Sequence, residues 1–342
     1  MSTVDAYSIP DLRLPFETAT HPQSAQVQEG TERWCRAFGL LRSPSVAAKF
    51  RALGYGRIMS TLCPYAPFDG LALVTDWNSF FFVTDDQQNI AVRTNRIALY
   101  EELAAAMRHV IADESRRTPH DDHALVTSLR DLLRRTLPGR PAYWVARFRR
   151  NLDSWLVGHM TENHYRMSKK APRIEDYIAV RRDASTVLPT LDLVEMVEKA
   201  TVPDELYRTP RYQTLVTGTA DIMCWINDIH SLHMEKDDPI NFVTVLGHYE
   251  HLGIQSAIDA VAKRIAARVR DHLVAAHELP ETMSALGLPL EAQTAVLRCI
   301  RDQQSWAAGM EAWDRTDTIR FTDGDAHALQ STMASYAEDL LE

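Results

Sequence analysis

Along most of the chain apolar residues recur at three- and four-residue steps, the spacing of one helix face, while the alternation of a half-buried strand is rare. The pattern predicts an all-α protein. Helices are expected over 31–41, 45–55, 70–84, 95–112, 124–135, 142–169, from 174 onward, and over 211–235, 254–277 and 290–313. The polar runs DESRRTPHDD (113–122) and LPGRP (137–141) read as loops between helices, and Pro203 and Pro210 punctuate the approach to the helix at 211. A polar, proline-containing lead-in over 8–30 reads as a strap. No internal repeat, glycine-serine linker or low-complexity block divides the chain, and only 13 of its 342 residues are glycine. The expectation is therefore one α-helical domain, 1–342, of ten or more helices, with a strap over 1–30 and a tail over 322–342.

Composition narrows the function classes. A formal charge of −9 provides no global positive field for nucleic acid or an anionic membrane. The basic run Arg147-Phe148-Arg149-Arg150 reads in that setting as a solvated helix face. Cys35, Cys63, Cys224 and Cys299 are scattered, without a C-x-x-C pair, which suits buried thiols in a reducing cytoplasm. No run of 18 apolar residues suggests a membrane span, and the first residues lack the pattern of a signal peptide.

Two constellations bear on chemistry. Phe81-Phe82-Val83-Thr84-Asp85-Asp86-Gln87-Gln88-Asn89 runs an aromatic, apolar stretch directly into adjacent carboxylates. Such carboxylates repel one another and lose solvation unless a cation neutralises them, and hard oxygen ligands suit magnesium; a solvated helix end is the alternative. In the second, Asn227, Ser231 and Glu235 recur every four residues within an otherwise apolar helix. An amide, a hydroxyl and a carboxylate on one stripe can chelate one hard divalent cation, where an ordinary core face would carry Leu or Ala. His230 and His233 invite a zinc reading, but no third soft ligand accompanies them.

These residues resemble the bacterial class I terpene synthases. Asp85-Asp86-x-x-Asn89 is similar to the family's aspartate-rich magnesium motif, and Asn227-Asp228-x-x-Ser231-x-x-x-Glu235 matches its second metal motif without a change. His21-Pro22 fits as well, and the similarity runs from about residue 20 to residue 321. The resemblance implies a helical bundle around a central apolar cavity. It makes Asp85, Asp86, Asn89, Asn227, Ser231 and Glu235 metal ligands for three Mg²⁺ ions, which Mn²⁺ can replace. Arg181 takes the position of the diphosphate-sensing arginine, with Arg182 as the competing choice. Ala184 and Ser185 fall on the family's linker and effector, at a helix break whose carbonyl faces the departing diphosphate. Arg320-Phe321, after Trp313, matches the family's Arg-Tyr pair with Phe321 in place of tyrosine, a loss of one hydrogen bond worth about 1.5–3 kcal/mol to a charged acceptor. Asn89 and Ala184 are further departures, since acidic residues are usual at the first and acidic or hydroxyl residues at the second.

The implied reaction is ionisation of an acyclic isoprenyl diphosphate, farnesyl diphosphate (C15) first and C20 or C10 as alternatives, followed by cyclisation to a hydrocarbon or alcohol. Phe81, Phe82, Trp306 and Trp313 are candidate walls of the substrate pocket, with Lys236 and Phe321 as candidate contacts to the diphosphate end. No lone acid or base is needed, because released diphosphate can take the final proton. A chain-elongating prenyltransferase would carry a second Asp-Asp repeat where this chain has Asn-Asp-Ile-His-Ser. A noncatalytic binding protein on the same scaffold is the reading from another class, and the resemblance allows a homodimer without fixing the oligomeric state.

Overall fold

The computed structural model describes residues 7–12, 14–235, 238–317 and 338–341, with Thr316 and Asp317 described in their backbone alone. These residues form helices and no strand. In chain order they are α1 (Ser24–Ala37), α2 (Pro44–Leu53), α3 (Tyr55–Leu62), α4 (Phe68–Arg93), α5 (Ile97–Ala112), α6 (Ala124–Thr136), α7 (Ala142–Ser168) and α8 (Ile174–Ala184). There follow α9 (Val187–Val197), α10 (Asp204–Tyr207), α11 (Pro210–Ser231), α12 (Phe242–Tyr249), α13 (Ile254–Ala285) and α14 (Leu290–Ala312), which runs into a π-helical turn (Trp313–Asp317). No described helix is long and apolar enough to cross a membrane. The four cysteines are buried thiols.

Local chemistry explains several starts. Ser43 and Thr209 each accept the N–H of the third residue on, and proline follows each at the first helical position, where its missing N–H costs nothing. Helices α4 and α11 lie at the centre, and both are buried on nearly every side. Helix α4 packs on α1, α3, α6 and α9, while α11 packs along α13 and also touches α8, α9 and α14. A helix apolar all round belongs in the middle of a bundle, so polar side chains on these two elements are forced into the interior.

Three boundaries differ from the sequence reading in ways that matter for the site. Helix α4 does not end at Thr84 but runs to Arg93, so the aspartates stand in its interior. Gln87 and Gln88 sustain it: Gln87 exchanges hydrogen bonds with Glu338 and Leu340 of the C-terminal segment, and Gln88 Nε2 donates to Asn163 Oδ1 at 3.0 Å. Helix α11 stops at Ser231, short of Glu235. Helix α13 passes through Pro280, its far turns held by buried Leu279 and Met283.

The solvated-face reading of residues 147–150 is overturned at Arg147. That guanidinium is buried between α7 and α9, donating to Asp192 at 2.6 Å and to Glu195 at 2.7 Å. A buried arginine needs such partners, and the acidic residues of α9 supply them. The N-terminal segment lies over α13 and α14, where Ser8 bonds Gln255 and the Glu17 carbonyl accepts from Ser305.

Candidate active site

A cavity with about 850 Å³ of empty space, its open mouth included, lies between α4, α7, α8, α11 and α14. Asp85, Arg181 and Asn227 line it together with Phe81, Phe82, Trp155, Trp306 and Trp313. The lining thus combines charged and polar side chains with five large aromatic ones. On α4 the lining positions are Asn78, Phe81, Phe82 and Asp85, a stripe at three- and four-residue steps.

Consecutive helix residues point about 100° apart, and this separates the two aspartates. Asp85 faces the large cavity, whereas Asp86 lines a small neighbouring one beside Tyr55, Val83 and Glu338. Asn89, one turn on, donates from Nδ2 to Asp85 Oδ2 at 3.3 Å, so in this arrangement it orients the aspartate.

On α11, Asn227 and Asp228 share one cation. Arg181 donates from Nη2 to Asn227 Oδ1 at 2.9 Å and from Nε to Asp228 Oδ1 at 3.0 Å. Asp228 is fully buried and also accepts from the Tyr177 hydroxyl and, at 2.7 Å, from the Phe242 N–H. Beyond the end of α11 the chain keeps the helical stagger for one more turn, since the Glu235 N–H reaches the Ser231 carbonyl at 3.1 Å. The Ser231 hydroxyl accordingly meets Glu235 Oε2 at 2.9 Å. Burial, and then the carboxylates of Asp238 and Asp228, push Glu235 up to about 7.

Arg182 points elsewhere. Its guanidinium forks onto Asp221, Nε to Oδ1 at 2.6 Å and Nη2 to Oδ2 at 2.7 Å, and Arg268 joins from α13. Arg181 is the one of the two that lines the cavity.

Helix α8 ends at Ala184 and α9 begins at Val187, leaving Ser185 and Thr186 as a break on the cavity wall. The break sits close to α7 because residue 158 is glycine: a Cβ there would lie 2.6 Å from the Ala184 Cα. The aromatic wall is interlocked. Phe82 stacks on Tyr55 at 4.3 Å, Phe81 meets Trp155 edge-on at 5.0 Å, and the Trp313 indole N–H donates to the Leu53 carbonyl.

Lys236, Arg320 and Phe321 lie outside the described residues. Sequence reasoning missed Asn78, Trp155, Gly158, His159, Glu162, Arg166, Tyr177 and Asn241. On α7, His159, Glu162, Asn163 and Arg166 form a polar stripe at three- and four-residue steps, the same signal that singled out Asn227, Ser231 and Glu235. His159 is buried, accepts from the Trp155 indole N–H at 2.9 Å, meets the Tyr100 hydroxyl at 2.6 Å and stands 4.0 Å from Asp85. Burial pushes it down to about 4, so it is neutral near pH 7. Arg166 ties α7 to the segment after α11, donating to Asp238 at 2.8 Å and facing Glu162 at 3.3 Å.

The donor set fits a hard divalent cation. Asn227 offers an amide oxygen, Ser231 a hydroxyl and Glu235 a carboxylate, and Glu235 is crowded by two further carboxylates that a cation would relieve. No described group of three His, Cys, Asp or Glu makes a softer site.

The family described as "Terpene synthase family 2, C-terminal metal binding" matches residues 76–271. Pristinol synthase of Streptomyces pristinaespiralis is 28% identical over 306 residues, 88% of this chain and 82% of that protein. The (+)-T-muurolol synthase ((2E,6E)-farnesyl diphosphate cyclizing) of Roseiflexus castenholzii is 28% identical over 317 residues, 90% of this chain and 92% of its own. The solved structure of hedycaryol synthase in complex with HEPES superposes with a TM-score of 0.80 at 22% identity, covering 91% of this chain and 99% of that one.

Proposed function

This chain belongs to the bacterial class I terpene synthase family, and we propose that its substrate is farnesyl diphosphate, cyclised to a C15 hydrocarbon or alcohol with release of diphosphate. Its relatives are lyases that act on diphosphates, and the T-muurolol synthase is named for cyclising the C15 substrate. The observation that carries the reading is one cavity lined both by Asp85, Arg181 and Asn227 and by five aromatic side chains.

Magnesium, three ions by the family's pattern and replaceable by manganese, would supply charge neutralisation of the leaving diphosphate. Asp85 would hold it from α4, with Asn89 steadying that carboxylate and Asp86 on the adjoining helix face. Asn227 and Ser231 on α11, with Glu235 just beyond its end, would hold it from the other side. Arg181 supplies a planar fork to the diphosphate oxygens, which a point charge cannot reproduce. The Ser185–Thr186 break presents backbone to the same space. Arg320, Lys236 and Phe321 keep their proposed roles at the diphosphate end.

Once the carbon–oxygen bond is broken, the allylic cation needs shelter from water. Phe81, Phe82, Trp155, Trp306 and Trp313 provide it, and an aromatic face is worth up to about 2 kcal/mol to a desolvated cation. None of these residues offers a competing nucleophile. The neutral His159 has both ring nitrogens engaged with Trp155 and Tyr100, which leaves the last proton to released diphosphate.

Incubation with C10, C15 and C20 isoprenyl diphosphates, each with and without Mg²⁺, followed by gas chromatography with mass detection, tests the proposal. A Mg²⁺-dependent C15 product is expected. Product from the C10 or C20 substrate alone would overturn the chain length, and silence with all three would leave a binding scaffold.

A further inference from the structure

Glu235 stands beyond the end of α11 and before the start of α12, so its helix does not by itself fix its carboxylate. Asn241, the N-cap of α12, does. Its Oδ1 accepts the Val243 N–H at 3.0 Å, closing the helix start, and its Nδ2 donates twice, to the Asp228 carbonyl at 2.7 Å and to Glu235 Oε2 at 3.2 Å. The side chain is about 1% exposed, and every polar atom it has is engaged. It therefore couples three things: the first turn of α12, the last turn of α11, and the carboxylate of the second metal motif.

The consequence falls on which oxygen of Glu235 is free. Ser231 Oγ and Asn241 Nδ2 both donate to Oε2. Among the described residues no hydrogen bond reaches Oε1. The next residue, Phe242, repeats the anchorage through its N–H to Asp228 Oδ2 at 2.7 Å. The returning chain is thus pinned at two successive residues to the aspartate that also holds Arg181.

We propose that Asn241 is a positioning residue for the metal site: its amide orients Glu235 so that Oε1 and the Ser231 hydroxyl oxygen face one cation together. This rests on the reading of Glu235 as a metal ligand. Groups that hydrogen-bond a ligand from behind set its orientation, and their loss weakens metal affinity about 10- to 100-fold.

Mn²⁺ titration of the full chain, followed by electron paramagnetic resonance in the presence of inorganic diphosphate, tests it without turnover. Asn241→Ser keeps an oxygen that caps α12 but cannot reach Glu235. Asn241→Asp keeps size and cap while setting a carboxylate against Glu235. Both are expected to weaken Mn²⁺ binding by about 10- to 100-fold, Asn241→Asp at least as much as Asn241→Ser, with the helical circular dichroism unchanged. If Asn241→Ser loses its helical signal, Asn241→Asp decides the matter. Wild-type Mn²⁺ affinity in the folded variants, with Glu235→Gln strongly weakened, would overturn the role of Asn241 alone. Wild-type affinity in Glu235→Gln would overturn the ligand assignment on which it rests.

Discussion

At the scale of the residue, Arg181 and Arg182 are adjacent, chemically identical and differently employed. Arg181 spans Asn227 and Asp228 and faces the cavity, while Arg182 is spent on Asp221 at the α11–α13 contact. Lysine preserves charge at either position and removes the fork. Arg181→Lys is expected to lower kcat by about 100-fold, the loss of one well-aimed donor to developing negative charge. Arg182→Lys should cost about 1.5–3 kcal/mol of stability, the loss of one hydrogen bond to the buried Asp221 carboxylate, with kcat within a few-fold of wild type, because this side chain does not line the cavity. Steady-state diphosphate release and thermal melts on the two variants check both halves, and the reverse ranking of kcat would move the sensor by one residue.

Elements decide what a single side chain can reach, and at Gly158 two of them, α7 and α8, approach closely enough to exclude a Cβ. In an ordinary helix interior, Gly→Ala gains roughly 0.5–1 kcal/mol. At Gly158 the new methyl would meet Ala184 backbone at 2.6 Å, which cannot swing aside as a side chain would. Gly158→Ala is therefore expected to destabilise by about 1–3 kcal/mol, the range of overpacking, and to displace the α8–α9 break from the cavity. A lower melting temperature accompanied by a changed product ratio is the expected result, and a variant as stable as wild type would show that α7 and α8 have room to spare. That contact was hidden in the sequence, where Gly158 is one small residue in a long helical run. What was legible depended on polar residues interrupting apolar ones: Asn227, Ser231 and Glu235 stand out because their neighbours are Trp, Ile and Leu. The same rule ends the helix too early, at Thr84, because Asp-Asp-Gln-Gln-Asn offers no apolar positions to continue it. Gln87 and Gln88 are buried, and their partners, Leu340 and Asn163, are remote in sequence. Arg147 escaped for the same reason, since its partners come from α9.

For the whole molecule, the buried titratable groups set a pH window for stability that is separate from the chemistry of the site. Asp302 on α14 is fully buried against Glu198 at the end of α9, one turn before Trp306 on the cavity wall. Burial, and then the hydrogen bond and repulsion from Glu198, push it up to about 8. Burial pushes His230 and His272 down to about 4. The signs oppose. A carboxyl raised in the fold binds its proton more tightly there than in the unfolded chain, so its contribution is full below about 4 and is lost as pH rises towards 8. A histidine lowered in the fold contributes above its unfolded value near 6.5 and loses that contribution as pH falls towards 4. Between 4 and 6.5 the two trends offset each other, and from 6.5 to 8 the raised carboxyls, Asp302 with Glu195 and Glu235, act without that offset. Stability is therefore expected to fall between pH 6.5 and 8.5. In Asp302→Asn, which carries no ionisable proton, that fall should flatten, and the variant should gain on wild type by at least about 1.4 kcal/mol between pH 5 and 8.5, the free energy of a tenfold difference in proton affinity between fold and unfolded chain. Urea melts at the two pH values give the difference directly. Parallel curves for variant and wild type would mean that Asp302 ionises in the fold as freely as in the unfolded chain, with Arg301, 3.6 Å away, holding its charge after all.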